Sequence, residues 1–304
     1  MTDIILLDGG MGQELVRRSR DPAHPQWGAW VMINEPEIVQ GLHEDYLRAG
    51  AKVITLNAYS ATPTRFRAFD MEARFSEMQV RAIELAHGAR EAVGTPARIA
   101  GCLPPLVGSY HPELLPEDDV LLTEYRRIAE IQGEHVDVML CETMSKASEA
   151  RMAATAGAET GKPVWVAWSL DENLGPDGLP RLRSGETLDQ AFAALEGVNV
   201  EAVLFNCCPP EAMTAGMARL AADGRPFGGY ANGFTPIPEG FVLGTTVDML
   251  GKRTDLDPEG YADHVMGWVE RGATIVGGCC ETGPDHIAEI ARRLTAGGHG
   301  IAAE

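Results

Sequence analysis

Six cysteines, Cys102, Cys141, Cys207, Cys208, Cys279 and Cys280, carry the most reactive chemistry in this 304-residue chain. All six fall at or just past the ends of short, β-rich apolar runs, so a fold that gathers those ends would gather the thiols. Taken singly, Cys102 and Cys141 read as small buried hydrophobes. Cys279-Cys280 differs, because neighbours in a regular strand point to opposite faces and cannot share one metal. The preceding Gly277-Gly278 removes that obstacle by letting the chain leave a strand sharply. The pair can then bind together; a vicinal disulfide or two packing cysteines are the competing readings. Cys207, which follows Asn206, adds a third soft ligand. Three thiolates on Zn²⁺ leave the fourth tetrahedral position open, and an open position implies catalysis. Recruiting Cys208 as well would close the site and make it structural, and spacing alone leaves both arrangements open.

A zinc ion held by three anionic sulfurs has a partly quenched Lewis acidity and is poorly suited to activating water. It suits a soft thiol, whose proton it removes while the sulfur stays nucleophilic. The reaction implied is alkyl transfer to a substrate thiol. Asp8 and Glu142, also at strand ends, would place two acids on the same rim, facing an ammonium group. Their structural alternatives are a turn former before Gly9-Gly10 and a charge near a helix start.

The elements that must position these residues alternate regularly. Strands are expected at Ile4–Leu7, Val53–Leu56, Ala97–Gly101, Asp137–Cys141, Val164–Ser169, Ala202–Asn206, Pro226–Tyr230 and Ala273–Val276. Helices are expected at 36–49, 66–93, 119–135, 146–160, 187–196, 210–222, 257–271 and 284–295, from apolar residues at three- and four-residue intervals. In the first of them Ile38, Val39, Leu42, Tyr46 and Leu47 share one face, and Gly50 suits a left-handed cap. Eight β-then-α units predict parallel strands joined by right-handed crossovers and closed into a (β/α)8 TIM barrel, in preference to a doubly wound open sheet. Gly9-Gly10-Met11-Gly12 lacks the spacing of a dinucleotide loop. The long loops 9–34, 103–118, 171–186 and 231–255 all leave strand C-termini and mark the functional rim. No linker or charge block divides the chain, so residues 1–304 are expected to form a single domain.

Composition narrows the partners. With 25 basic against 44 acidic residues the net charge is −19, which repels phosphate backbones and excludes nucleic acid as a natural partner. No apolar run approaches the ~20 residues of a membrane span, and the amino terminus lacks an export signal. A cytoplasmic protein with reduced thiols is expected, as a monomer or small homo-oligomer.

Five strand-end motifs, in order, carry a resemblance: Asp8-Gly9-Gly10-Met11-Gly12, Asn57-Ala58-Tyr59, Glu142-Thr143-Met144-Ser145, Phe205-Asn206-Cys207 and Gly277-Gly278-Cys279-Cys280. Together they resemble the homocysteine S-methyltransferase family over essentially the whole chain. The resemblance implies zinc on Cys207, Cys279 and Cys280 with the homocysteine sulfur in the fourth place, and Asn206 steadying Cys207 from behind. It implies Asp8 and Glu142 as catalytic-site carboxylates holding the homocysteine amino group, with Asn57 and Tyr59 also contacting substrate. Thr143 and Ser145 would donate to the amino acid carboxylate, unless Ser145 simply caps the following helix. Two positions depart from the pattern. Ala58 stands where many relatives have Thr, which removes one substrate hydrogen bond. Glu281 stands where Gly is common, which would make the approach to the metal more crowded or more negative.

The methyl donor must be a small onium compound, because methyl leaves readily only from positively charged sulfur or nitrogen. Trp27, Trp30, Tyr59, Tyr110, Trp168 and Tyr230 are the rim aromatics that could face such a cation. Leu103-Pro104-Pro105, Gly108-Ser109-Tyr110 and Tyr230-Ala231-Asn232 resemble the S-methylmethionine-dependent branch more than the betaine branch, and no cobalamin or folate module is appended. Readings in competition are a betaine-type donor, another thiol or selenol acceptor, and a non-catalytic barrel with a structural four-cysteine zinc.

Overall fold

The computed structural model describes residues 3–238, 240–242 and 244–303. Strands β1 (Asp3–Leu6), β2 (Val53–Thr55), β3 (Arg98–Leu103), β4 (Val138–Met144), β5 (Val164–Trp168), β6 (Ala202–Asn206), β7 (Phe227–Tyr230) and β8 (Ile275–Val276) pair in parallel in the order β2-β3-β4-β5-β6-β7-β8-β1. The sheet closes on itself where Leu7 bridges Val53, with the Asp8 N–H donating to the Val53 carbonyl at 3.0 Å and the Lys52 N–H to that of Leu6 at 2.7 Å. The expected TIM barrel is the fold observed. A ninth strand, β9 (Gly300–Ala302), pairs in parallel with Asp3–Ile5 and was not expected, since three residues beyond the last helix carry no pattern to read.

Two apolar layers hold the barrel. Leu7, Val53, Ala100, Val138, Leu140, Trp165, Ala167, Ala202, Leu204, Tyr230 and Ile275 form the packed interior. The alternate residues, among them Met139, Cys141, Val166, Val203 and Phe205, meet the helices outside. The period of two on β4 carries Glu142 to the interior face above Val138 and Leu140.

The surrounding helices are α1 (Met11–Arg18), α2 (Trp27–Asn34), α3 (Pro36–Arg48), α4 (Pro63–Ala68), α5 (Phe75–Val93), α6 (Asp118–Gln132), α7 (Ala147–Glu159), α8 (Leu188–Ala194), α9 (Pro210–Ala221), α10 (Pro258–Glu270) and α11 (Pro284–Ala296). Local chemistry sets their ends. Proline occupies the first turn of α3, α4, α9, α10 and α11, where its missing N–H costs nothing. Thr187 and Gln190 form a capping box on α8, and Gly50 adopts φ +112° after α3. Two expectations need correction. The single helix expected over 66–93 is broken at Asp70, which sits at φ +57° ahead of a short 3-10 turn. The stretch 9–34, expected as loop, holds α1 and α2; its short apolar faces pack beneath the rim and give too few turns for periodicity to register.

Candidate active site

Three sulfurs meet at the carboxyl end of the barrel. Cys207, Cys279 and Cys280 place their Sγ atoms within 4.8 Å of one another, with Cys207 to Cys280 at 3.7 Å and Cys279 to Cys280 at 4.0 Å. Zinc–sulfur bonds of about 2.3 Å at tetrahedral angles separate sulfurs by roughly 3.8 Å, so the donor set fits a tetrahedral metal with one position open. Cys208 is not part of this group. It is fully buried in the layer between strands and helices, where burial raises its thiol pKa to about 12.

Adjacent cysteines share a site because they sit in a turn beyond β8. The Thr282 N–H donates to the Cys279 carbonyl at 3.2 Å, and Glu281 takes φ +66°. A left-handed residue there suits glycine, which makes Glu281 a strained occupant. The chain leaves β8 directly after Val276, as expected, and Gly277 and Gly278 serve close approach there rather than a positive φ. A Cβ on Gly277 would lie 2.5 Å from that of Leu7, and one on Gly278 would collide with the Thr282 side chain. Gly278→Ala is therefore expected to displace the cysteine turn and release bound metal, with a stability loss of about 1–3 kcal/mol; metal analysis beside a denaturant melt checks it.

Cys207 is itself strained, at φ +51°. Asn206 pins the chain just before it, accepting from the Thr143 N–H at 2.7 Å and donating to Thr143 Oγ1 at 2.9 Å. Ser169 Oγ donates to the Cys207 carbonyl at 3.2 Å. The Tyr110 hydroxyl lies 2.9 Å from the Cys207 sulfur. Cys279, Cys280, Tyr110 and the Arg183 charge favour a Cys207 thiolate and hold its pKa well below the usual thiol value. Of the six non-glycine residues at positive φ among the described residues, five (Trp27, Tyr110, Thr143, Cys207 and Glu281) stand on this rim, so backbone strain is concentrated where chemistry would occur.

Beside the sulfurs lies a cavity lined by Asp8, Thr55, Asn57, Tyr59, Arg65, Tyr110, Glu142, Cys207, Tyr230, Cys279 and Cys280, with Trp27, Phe234 and Phe241 also contributing. Asp8 Oδ2 accepts the Thr55 N–H at 2.8 Å, and Glu142 accepts from the Cys102 thiol at 3.0 Å. Burial, with the Glu142 charge adding, raises the Asp8 pKa to about 8 despite the Thr55 bonds; burial also raises that of Glu142 to about 7. Two acids so destabilised as anions await a cation.

The structure brings Asp8, Glu142, Asn57, Tyr59 and the three cysteines to one cavity. It does not bring Thr143 or Ser145 there: Thr143 is engaged by Asn206, and Ser145 Oγ turns to the Thr143 carbonyl at 3.4 Å. Nor does Ser145 cap α7, whose N-cap is Lys146. Tyr59 bonds Ser109 Oγ at 2.7 Å, and Asn57 donates to the Gly28 carbonyl. Cys141 packs outside the barrel rather than on the mouth. Glu281 is buried against Arg17 and lies 3.6 Å from Lys252, outside the cavity lining, and its negative charge still acts on the Cys280 sulfur. Arg65 and Arg183 escaped sequence reasoning. Their only signal is basic side chains within rim segments of an acidic chain.

The homocysteine S-methyltransferase family model matches residues 5–294. The chain belongs to the homocysteine S-methyltransferase family. Among relatives of known function, it is 30% identical to the homocysteine S-methyltransferase of Escherichia coli K12, over 96% of this chain and 95% of that one. It is 28% identical to the selenocysteine methyltransferase of Astragalus bisulcatus, covering 96% and 93%. The metallated form of the E. coli homocysteine methyltransferase MmuM superposes with a TM-score of 0.78 at 28% identity, covering 96% of each chain. This family member is thus an enzyme of methyl transfer to homocysteine, and its three-sulfur cluster is an arrangement that could hold a metal ion.

Proposed function

We propose that this chain transfers a methyl group from a small onium donor, S-methylmethionine in preference to others, to the thiol of homocysteine, with zinc held by Cys207, Cys279 and Cys280. The observation that carries the reading is the open three-sulfur cluster beside a cavity with two buried acids. Zinc bound there supplies a Lewis acid that keeps the acceptor sulfur deprotonated at neutral pH.

The chain's own residues do the remaining work. Asp8 and Glu142 bind the acceptor's ammonium, and the added positive charge keeps both carboxyls ionised where burial alone would protonate them. Asn57 fixes the cavity wall through Gly28, and Tyr59 is braced by Ser109 and by an edge contact with Trp27 at 5.8 Å. Thr143 acts through Asn206 to hold the backbone of Cys207, and Ser145 buttresses Thr143. Trp27, Tyr59, Tyr110, Phe234 and Phe241 line the cavity with ring faces and edges that tolerate a sulfonium and exclude water. The acceptor sulfur's electron pair forms the new bond to the methyl carbon while the old carbon–sulfonium bond breaks, its pair leaving a neutral thioether. From S-methylmethionine and homocysteine the products are two molecules of methionine.

The reading extends to one barrel over 1–304 as a single folding unit, in which β9 returns to β1. Among the described residues no helix is long and apolar enough to cross a membrane, and the reading places the enzyme in the cytoplasm. Similarity to a selenocysteine methyltransferase makes a selenol the second acceptor to examine. A donor and acceptor screen with products identified by mass tests the whole. S-methylmethionine with homocysteine is expected to give methionine and neutral methyl thioethers nothing; a higher kcat/KM with glycine betaine, or turnover with selenocysteine alone, would overturn the corresponding part.

A further inference from the structure

Arg65 is the only lysine or arginine among the described residues that line the cavity. Its residue is 8% exposed, its Nε is buried without a hydrogen-bond partner, and among the described residues no carboxylate pairs with it. Its guanidinium carbon sits over the Tyr59 ring, 5.6 Å from the centroid. A buried cation left unpaired is costly, and packing on one ring offsets only part of that cost. The arrangement makes physical sense if an anion arrives with the ligand.

The identity of that anion follows from the rest of the cavity. Two buried carboxyls, Asp8 and Glu142, line the same cavity as Arg65. Two acids and one guanidinium in one cavity complement the ammonium and carboxylate of an α-amino acid. The hydroxyls of Thr143 and Ser145 are turned away from this cavity. We propose that Arg65 is a specificity-determining residue that binds the carboxylate of an amino acid substrate through charge-assisted, fork-like hydrogen bonds. The inference rests on the methyl-transfer reading and deepens it.

Both acceptor and donor carry such a carboxylate, and calorimetry with matched ligands separates them. On the acceptor arm, homocysteine is compared with 3-aminopropane-1-thiol, its decarboxylated counterpart. On the donor arm, S-methylmethionine is compared with (3-aminopropyl)dimethylsulfonium. The wild-type holoenzyme is expected to prefer the carboxylate-bearing ligand by about 10–100-fold on one arm. Arg65→Met should erase the preference on that arm, and Arg65→Lys should keep part of it. Arg65→Met should also raise the melting temperature of the ligand-free protein, because a buried unpaired cation is removed. If Arg65 only packs on Tyr59, the same variant lowers the melting temperature and leaves both preferences intact. That result overturns the inference and spares the methyl-transfer reading. Failure of the wild type to bind either homocysteine or the sulfonium would overturn that reading and this inference together.

Discussion

Replacing Cys207, Cys279 or Cys280 by alanine is expected to abolish both metal retention and methyl transfer, whereas Cys208→Ala keeps most of each. The two sulfur separations of 3.7 and 4.0 Å fit one tetrahedral ion, and loss of any one leg leaves two ligands and an exposed cavity floor. Without the metal the acceptor is a free thiol of pKa about 8.5, mostly protonated at neutral pH. A fall in kcat/KM of at least ~1,000-fold, about 4 kcal/mol, is the expected size. Cys208 packs between β6 and the outer helices, so its replacement deletes a small buried group and costs stability, on the order of 1 kcal/mol, rather than chemistry. Metal content and steady-state kinetics on the four variants check this. Equal loss of metal in all four would instead establish a closed four-cysteine site.

Asp8→Asn should weaken homocysteine binding by roughly 10–150-fold, equivalent to the 1.5–3 kcal/mol of a charge-assisted hydrogen bond, while making the ligand-free protein more stable. The second half follows from the sign of the pKa shift. Asp8 titrates near 8 in the folded protein against 3.8 ordinarily, so between those values the folded state holds more protons than the unfolded one. Its contribution to stability is then present below about pH 4 and is lost as pH rises toward 8. Glu142, raised to about 7, behaves alike over a narrower window. Ligand binding runs the other way: homocysteine affinity falls as pH drops through 8 and then 7, because protonated acids no longer attract an ammonium. Calorimetry across pH 6–8.5 with melts at pH 8 measures both. Unchanged affinity in Asp8→Asn and Glu142→Gln would assign these acids to structure alone.

The barrel was legible because its signal is repeated eight times, and an error in one unit leaves the count intact. The cluster of Cys207, Cys279 and Cys280 was legible for a different reason: cysteine is rare, and paired cysteines after paired glycines at a strand end have few purely structural uses. What escaped depended on tertiary placement. Nothing in Thr62-Pro63-Thr64-Arg65 announces that Arg65 folds inward onto Tyr59 without a counter-ion. Thr143 lies one residue from Glu142, yet its own φ of +60° and its bonds to Asn206 turn it from substrate to scaffold. Glu281 takes a strained turn conformation and pairs with Arg17, while its charge still acts on Cys280. Each of these depends on a partner far away in sequence, which periodicity and motif spacing do not encode.

The central claim is an open three-sulfur metal site, and X-ray absorption on the purified zinc-loaded protein tests it most directly. About one zinc per chain with three protein sulfurs is predicted before substrate is added, rising to four sulfurs when homocysteine is supplied. Four protein sulfurs in the absence of homocysteine, or undiminished methyl transfer by metal-free protein, would contradict it.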